Sequence, residues 1–78
     1  MLHNDNYYYD LVRHNIKIKR QNAKLTQQQL ADRCGITMNY LAKIESSKMK
    51  KGFTIVTLGR IADALNIDIR ELFKPIDE

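Results

Sequence analysis

Apolar residues recur along this chain at helical spacing, in short blocks separated by polar turns. Val12, Ile16, Lys19 and Ala23 fall at i, i+4, i+7 and i+11, a single stripe of a helix predicted over about Tyr8 to Asn22. Lys19 can lay its aliphatic stem along the core edge. Tyr8, Leu11 and Ile18 make a second stripe, so this helix is apolar on more than one side. A second helix is predicted from about Gln27 to Cys34, with Thr26 as N-cap and Gln29 closing a T-x-x-Q capping box. Leu30, Ala31 and Cys34 face inward, and the small Ala31 lets the next helix cross closely. Gly35 supplies a left-handed turn at little steric cost. A third helix runs from about Met38 to Ser46, capped by Thr37, with Leu41 and Ile44 inward. A fourth follows Thr54, with Ile55, Leu58, Ile61, Ala62 and Leu65 on one stripe and Asn66 at its end. Asp68 and Glu71 open a short fifth helix bearing Ile69, Leu72 and Phe73, and Pro75 closes the fold.

No stretch shows sustained period-2 alternation, so the reading is all-α. Seventy-eight residues make one domain near the lower end of what a single core stabilises. Residues 1–10 read as an N-terminal extension, 11–75 as the domain and 76–78 as a tail. At 44% hydrophobic and 28% charged, the chain is neither disordered nor membrane-embedded. No apolar run reaches the roughly 18–20 residues that span a bilayer, and no secretion signal opens the chain, so a cytoplasmic protein is expected. Cys34 is the single cysteine, which excludes an intramolecular disulfide and a zinc finger. His3 and His14 lie outside metal-ligand spacing. No metal or cofactor is expected.

The net charge of +4 is unevenly placed. Residues 11–51 carry ten Lys or Arg against two acids, while the segments on either side are net acidic. A localised basic field attracts a polyanion, although a solvated helix face would carry the same charges. Two short helices joined at Gly35 are the geometry that sets one helix in the major groove of DNA. The outward residues of the third helix then become candidates for base contact. Asn39 can pair bidentately with adenine, Lys43 can donate to guanine, Thr37 offers a hydroxyl, and Met38 can meet a thymine methyl. Tyr40 either stacks on the sugar-phosphate backbone or packs on a neighbouring helix with a polar tip, the latter being the favoured reading. Gln27 opens the second helix, where free backbone N–H groups and the helix dipole favour a phosphate oxygen. Lys48, Lys50 and Lys51 follow the third helix and are candidates for phosphate contact. Arg20 and Glu45 carry opposite charges near the ends of helices one and three, but spacing alone does not bring them together.

These residues resemble a known family. L-T-Q-x-x-L-A over Leu25–Ala31, then Gly35, Y-L-x-x-I-E over Tyr40–Glu45, I-A-x-A-L over Ile61–Leu65 and E-L-F over Glu71–Phe73 occur in order. They are similar to the Cro/cI-type (XRE-like) helix-turn-helix regulators over about Val12 to Phe73. The resemblance implies a compact five-helix, lambda-repressor-like domain that binds double-stranded operator DNA as a homodimer. It implies that Gln27 binds phosphate and that Thr37, Met38, Asn39 and Lys43 occupy the variable base-contacting positions. It also implies that Arg20 and Glu45 form a partly buried ion pair. The chain departs from the pattern at Ser46-Ser47, at Phe53, at Lys19 and in the N-terminal NDNYYYD.

The function expected is a sequence-specific transcriptional regulator, a repressor, on a roughly palindromic site. With no room for a sensor domain, its control is expected from its own concentration, competition at the operator or a regulatory protein partner. The alternative is a protein-interaction module or antitoxin-type partner on the same fold, using Tyr7-Tyr8-Tyr9 or the Tyr8, Leu11, Ile18 stripe. No carboxylate pair, nucleophile–base set or phosphate-cradling glycine loop suggests an enzyme.

Overall fold

The computed structural model describes residues 2–46 and 52–75. Four α-helices follow one another in this part of the chain: α1 (Tyr7–Asn22), α2 (Gln27–Cys34), α3 (Met38–Glu45) and α4 (Ile55–Ala64). A single 3-10 turn, Ile69–Phe73, ends the sequence of elements. The expected count of five α-helices is therefore corrected to four. Two local features keep the last segment short. Asn66 takes a left-handed φ of 57° just upstream. Lys74, which precedes Pro75, is extended at φ −69° and ψ 140°, as the proline ring requires of its neighbour. Between them, Asp68 accepts from the Arg70 amide and Glu71 N donates to Asp68 O at 2.9 Å, an i to i+3 turn.

Side-chain caps set where three of the helices begin. Thr26 accepts from the Gln29 amide at 3.1 Å while Gln29 reaches back to the Thr26 amide at 2.9 Å, completing the capping box. Thr37 and Thr54 cap α3 and α4 in the same way, through the amides of Tyr40 and Thr57. Gly35 stops α2 at φ 72°, and Ile36 N then donates to Ala31 O at 3.1 Å. The end of α1 uses the same hand without glycine: Lys24 has φ 58°, and Leu25 N donates to Arg20 O at 3.1 Å.

The core is continuous. Val12 and Ile16 of α1 meet Leu30, Ala31 and Cys34 of α2, Leu41 and Ile44 of α3, Leu58, Ile61 and Ala62 of α4, Phe53 before α4, and Leu72 of the 3-10 turn. α2 packs on both α3 and α4, and α1 packs on α3 and on the 3-10 turn. Burial pushes the Cys34 thiol pKa up, so it behaves as a small apolar residue.

Several expected core positions lie elsewhere. Ile55, the first residue of α4, is 67% exposed and borders an open groove with Tyr8 and Phe73. Ala23 is exposed because α1 has already ended at Asn22. The second stripe of α1 divides: Leu11 is buried, while Tyr8 and Ile18 stay exposed. Phe73 is 41% exposed, since a 3-10 turn eclipses Ile69 with Leu72 and does not align Phe73 with Ile69 as an α-helix would. Lys19 is half-buried, and its ammonium pairs with Glu71 at 3.3 Å. α1 also starts earlier than the domain boundary at residue 11, so Tyr7–Asp10 form its first turn. Tyr9 there meets Phe53 edge-on, with ring centroids 5.2 Å apart.

Candidate nucleic-acid interface

α3 has an inner and an outer face because its two fully buried residues are three apart. Leu41 and Ile44 have no exposure, and they fix the rotation of the helix about its own axis. Met38, Asn39 and Lys43 are thereby exposed, with Ala42 half-buried between them. Asn39 and Lys43 are i, i+4 and stand one above the other, and Met38 and Ala42 form the adjacent row. The short Ala42 leaves this face open between longer neighbours. Tyr40 turns the other way, half-buried against the core. Thr37 is exposed at the helix start, and its Oγ1 accepts from the Tyr40 amide at 3.1 Å. Its hydroxyl proton is left to donate elsewhere.

The start of α2 is the second part of the surface. The capping box consumes the Thr26 and Gln29 amides, and Leu30 N bonds to Thr26 O at 3.0 Å. Helix geometry leaves the amides of Gln27 and Gln28 directed out of the helix end, where the helix dipole is positive. Gln28 is exposed and donates to Asp32 one turn on, at 2.8 Å. Gln27 is half-buried, and its Nε2 donates to Glu45 Oε1 at 3.2 Å. Lys48, Lys50 and Lys51 lie outside the described residues.

Three helices are tied together behind this surface. Arg20 donates through Nε to Glu45 Oε2 at 2.8 Å and through Nη2 to Oε1 at 2.9 Å, a bidentate pair. Its Nη1 donates to Leu25 O at 2.8 Å, in the turn before α2. The Arg20 and Glu45 side chains are 11% and 3% exposed. A second arginine works beside the first: Arg13 donates through Nη1 to Ile44 O at 3.1 Å, in the last turn of α3. Its Nε lies 3.1 Å from Asp10 Oδ1, a charge contact without hydrogen-bond alignment. Neither Arg13 nor the Gln27–Glu45 bond is evident from the motifs. The signal for Arg13 is its distance from Arg20: seven residues are two helical turns, which put both on the side of α1 that meets α3.

Chemically, this arrangement offers hydrogen-bond donors and a cation on the outer face of α3, and a helix N-terminus at α2. Among the described residues, no group of three His, Cys, Asp or Glu side chains could hold a metal ion. Among them also, no helix is long and apolar enough to cross a membrane.

Comparison with known proteins agrees with this geometry. The family model named HTH_3, Helix-turn-helix, matches residues 16–72. The uncharacterized HTH-type transcriptional regulator y4dJ of Sinorhizobium fredii is 34% identical over 68 residues, covering 87% of this chain and 86% of its own. The restriction-modification controller protein C.AhdI of Aeromonas hydrophila superposes with a TM-score of 0.76 at 26% identity, over 83% of this chain and 96% of its own. The hypothetical transcription factor NHTF from Neisseria shares the fold, with a TM-score of 0.81 at 21% identity, over 96% of this chain and 84% of its own. From the capped two-helix unit and these matches together, the chain belongs to the XRE-like, Cro/cI-type helix-turn-helix family of DNA-binding transcriptional regulators.

Proposed function

We propose that this protein is a sequence-specific repressor that binds a roughly palindromic operator as a homodimer, with α3 in the major groove. The observation that carries the reading is the outer face of α3. Met38, Asn39 and Lys43 are exposed beside a capped start of α2, on a helix whose rotation is locked by Leu41 and Ile44. Asn39 and Lys43 read base edges, Met38 offers an apolar contact, and Thr37 donates its hydroxyl at the helix start. Gln27 and the outward amides of α2 hold one phosphate, and Lys48, Lys50 and Lys51 hold others. Repression needs no further surface, because a protein seated on promoter DNA occludes it.

Self-association is supported by apolar exposure on α1, α4 and the 3-10 turn. Tyr8 (57%), Ile55 (67%), Val56 (63%) and Phe73 (41%) are unusually exposed for their size. Tyr8, Ile55 and Phe73 border one groove with Phe53 and Leu58. An exposed apolar patch of this kind is a common interaction surface on a small protein. Two copies joined there would offer two α3 helices to DNA, and operators read in this way repeat at about 34 Å, one turn of duplex.

A salt titration of duplex binding tests the reading. Affinity for any duplex should fall linearly in log–log form as salt rises, and selected sites should bind at least about a thousandfold more tightly than random ones. Weak binding that ignores both salt and sequence would overturn it.

A further inference from the structure

We propose that Glu45 is a positioning residue for Gln27, fixing which end of the Gln27 amide faces DNA. The proposal rests on the reading above that Gln27 meets a phosphate. An amide has two nearly isosteric ends, an oxygen that accepts and a nitrogen that donates, and free in solvent it rotates between them. A phosphate oxygen only accepts, so only the nitrogen end is productive.

The local geometry settles the orientation. The Glu45 carboxylate is acceptor-only and its side chain is 3% exposed. Arg20 holds both of its oxygens from one side, at 2.8 Å and 2.9 Å. Gln27 Nε2 approaches Oε1 at 3.2 Å from α2. The carboxylate would repel the amide oxygen, so the nitrogen must face it. One N–H then goes to Glu45, and the second N–H of the same nitrogen is left for the phosphate. The Arg20–Glu45 pair therefore does more than join α1 to α3. It presents an oriented donor at the start of α2, and Arg20 anchors the turn leading into α2 through Leu25 O at 2.8 Å.

A double-mutant cycle on duplex affinity is the test. Gln27→Ala alone should weaken binding to every duplex by about tenfold, the worth of one hydrogen bond to a charged group. In a Glu45→Gln background the same substitution should cost only about fivefold, because an amide free to flip presents its nitrogen about half the time. Gln28→Ala should cost the same in both backgrounds. An equal Gln27→Ala penalty with and without Glu45 overturns the proposal. Because Glu45→Gln can itself unfold the domain, the wild-type protein supplies a second test. In nitrogen-15 relaxation the Gln27 side-chain amide should be ordered nearly as well as the backbone, and one of its two protons should be shifted by its bond to Glu45. DNA should shift one of them and leave the one on Glu45 in place. A Gln27 side-chain order parameter below about 0.6 in the free protein would overturn the proposal even if no duplex bound. Failure of the wild type to bind any duplex, with the amide ordered, would instead remove the DNA reading.

Discussion

Arg13 on α1 donates to the main-chain carbonyl of Ile44 at 3.1 Å, so a charged side chain from one helix closes the C-terminal end of another. The last carbonyls of a helix lack partners within it and carry the negative end of its dipole. A cation there satisfies both. α3 is only eight residues long and gains little stability from its own hydrogen bonds. Its orientation therefore depends on the core contacts of Leu41 and Ile44 and on this cap. Arg13→Ala should lower stability by about 1.5–3 kcal/mol, the range for hydrogen bonds to charged groups. Urea unfolding followed by circular dichroism measures it. A midpoint unchanged from wild type would show that the cap contributes nothing.

The Arg20–Glu45 pair should behave as a buried unit. Arg20→Met leaves Glu45 charged and almost fully enclosed, at a cost of about 3–5 kcal/mol. A domain of this size holds only about 4–12 kcal/mol in total, from roughly 0.05–0.15 kcal/mol per residue, so the single variant should be close to unfolding. Arg20→Met combined with Glu45→Leu should be more stable than either single change, because no charge is left unpaired. Denaturation of the three variants checks the order. Strict additivity of the two single losses would contradict it.

Two helix ends share a left-handed residue but differ in side chain, and substitutions there should act in opposite directions. Gly35 at φ 72° has open space where a Cβ would stand, so Gly35→Ala costs only backbone strain, about 1–2 kcal/mol. Lys24 holds φ 58° with a side chain already present. Lys24→Gly should relieve that strain and stabilise the protein by up to about 1 kcal/mol, less the extra freedom gained by the unfolded chain. Thermal melts of both variants are sufficient, and a shift in the same direction for both would be contrary to the geometry.

Much of this architecture is legible in the sequence because it is local. Thr26, Thr37 and Thr54 each bond an amide three residues on, and Leu30, Leu41, Ile44 and Ile61 follow the helical period. The outward set on α3 follows directly from Leu41 and Ile44 pointing in. What escapes such a reading is decided across the chain. The final segment has helical spacing at Ile69, Leu72 and Phe73, yet the left-handed Asn66 and Pro75 leave room for one 3-10 turn. Ile55 matches the α4 stripe but borders an open groove and stays exposed. Phe53 is buried because Tyr9 of α1 packs on it, a contact between residues far apart in sequence. The Gln27–Glu45 and Arg13–Ile44 bonds depend on helix crossings that no spacing reveals.

Acid should weaken the attachment of the C-terminal segment. Lys74 and then Lys19 hold the Glu71 carboxyl below its ordinary range, and Arg70 does the same for Asp68 through its side chain and amide. Because both values are lowered on folding, the stabilisation is present above the usual carboxylate range and is lost as pH falls through the folded-state values. The groups are open to solvent, so salt should reduce the effect. Glu71→Gln cannot titrate, so the gap in Tm between it and the wild type should narrow as pH drops below the carboxylate range. A gap that stays constant with pH would exclude this linkage.

The role proposed for α3 is to read DNA through Asn39 and its neighbours. Selection of bound duplexes from a random pool, run in parallel on the wild type and Asn39→Ala, tests it most directly. The wild type should yield an enriched two-fold symmetric motif. Asn39→Ala should lose preference at one base pair in each half-site, with the rest of the motif kept. An identical motif from both proteins, or no enriched motif from the wild type, would contradict it.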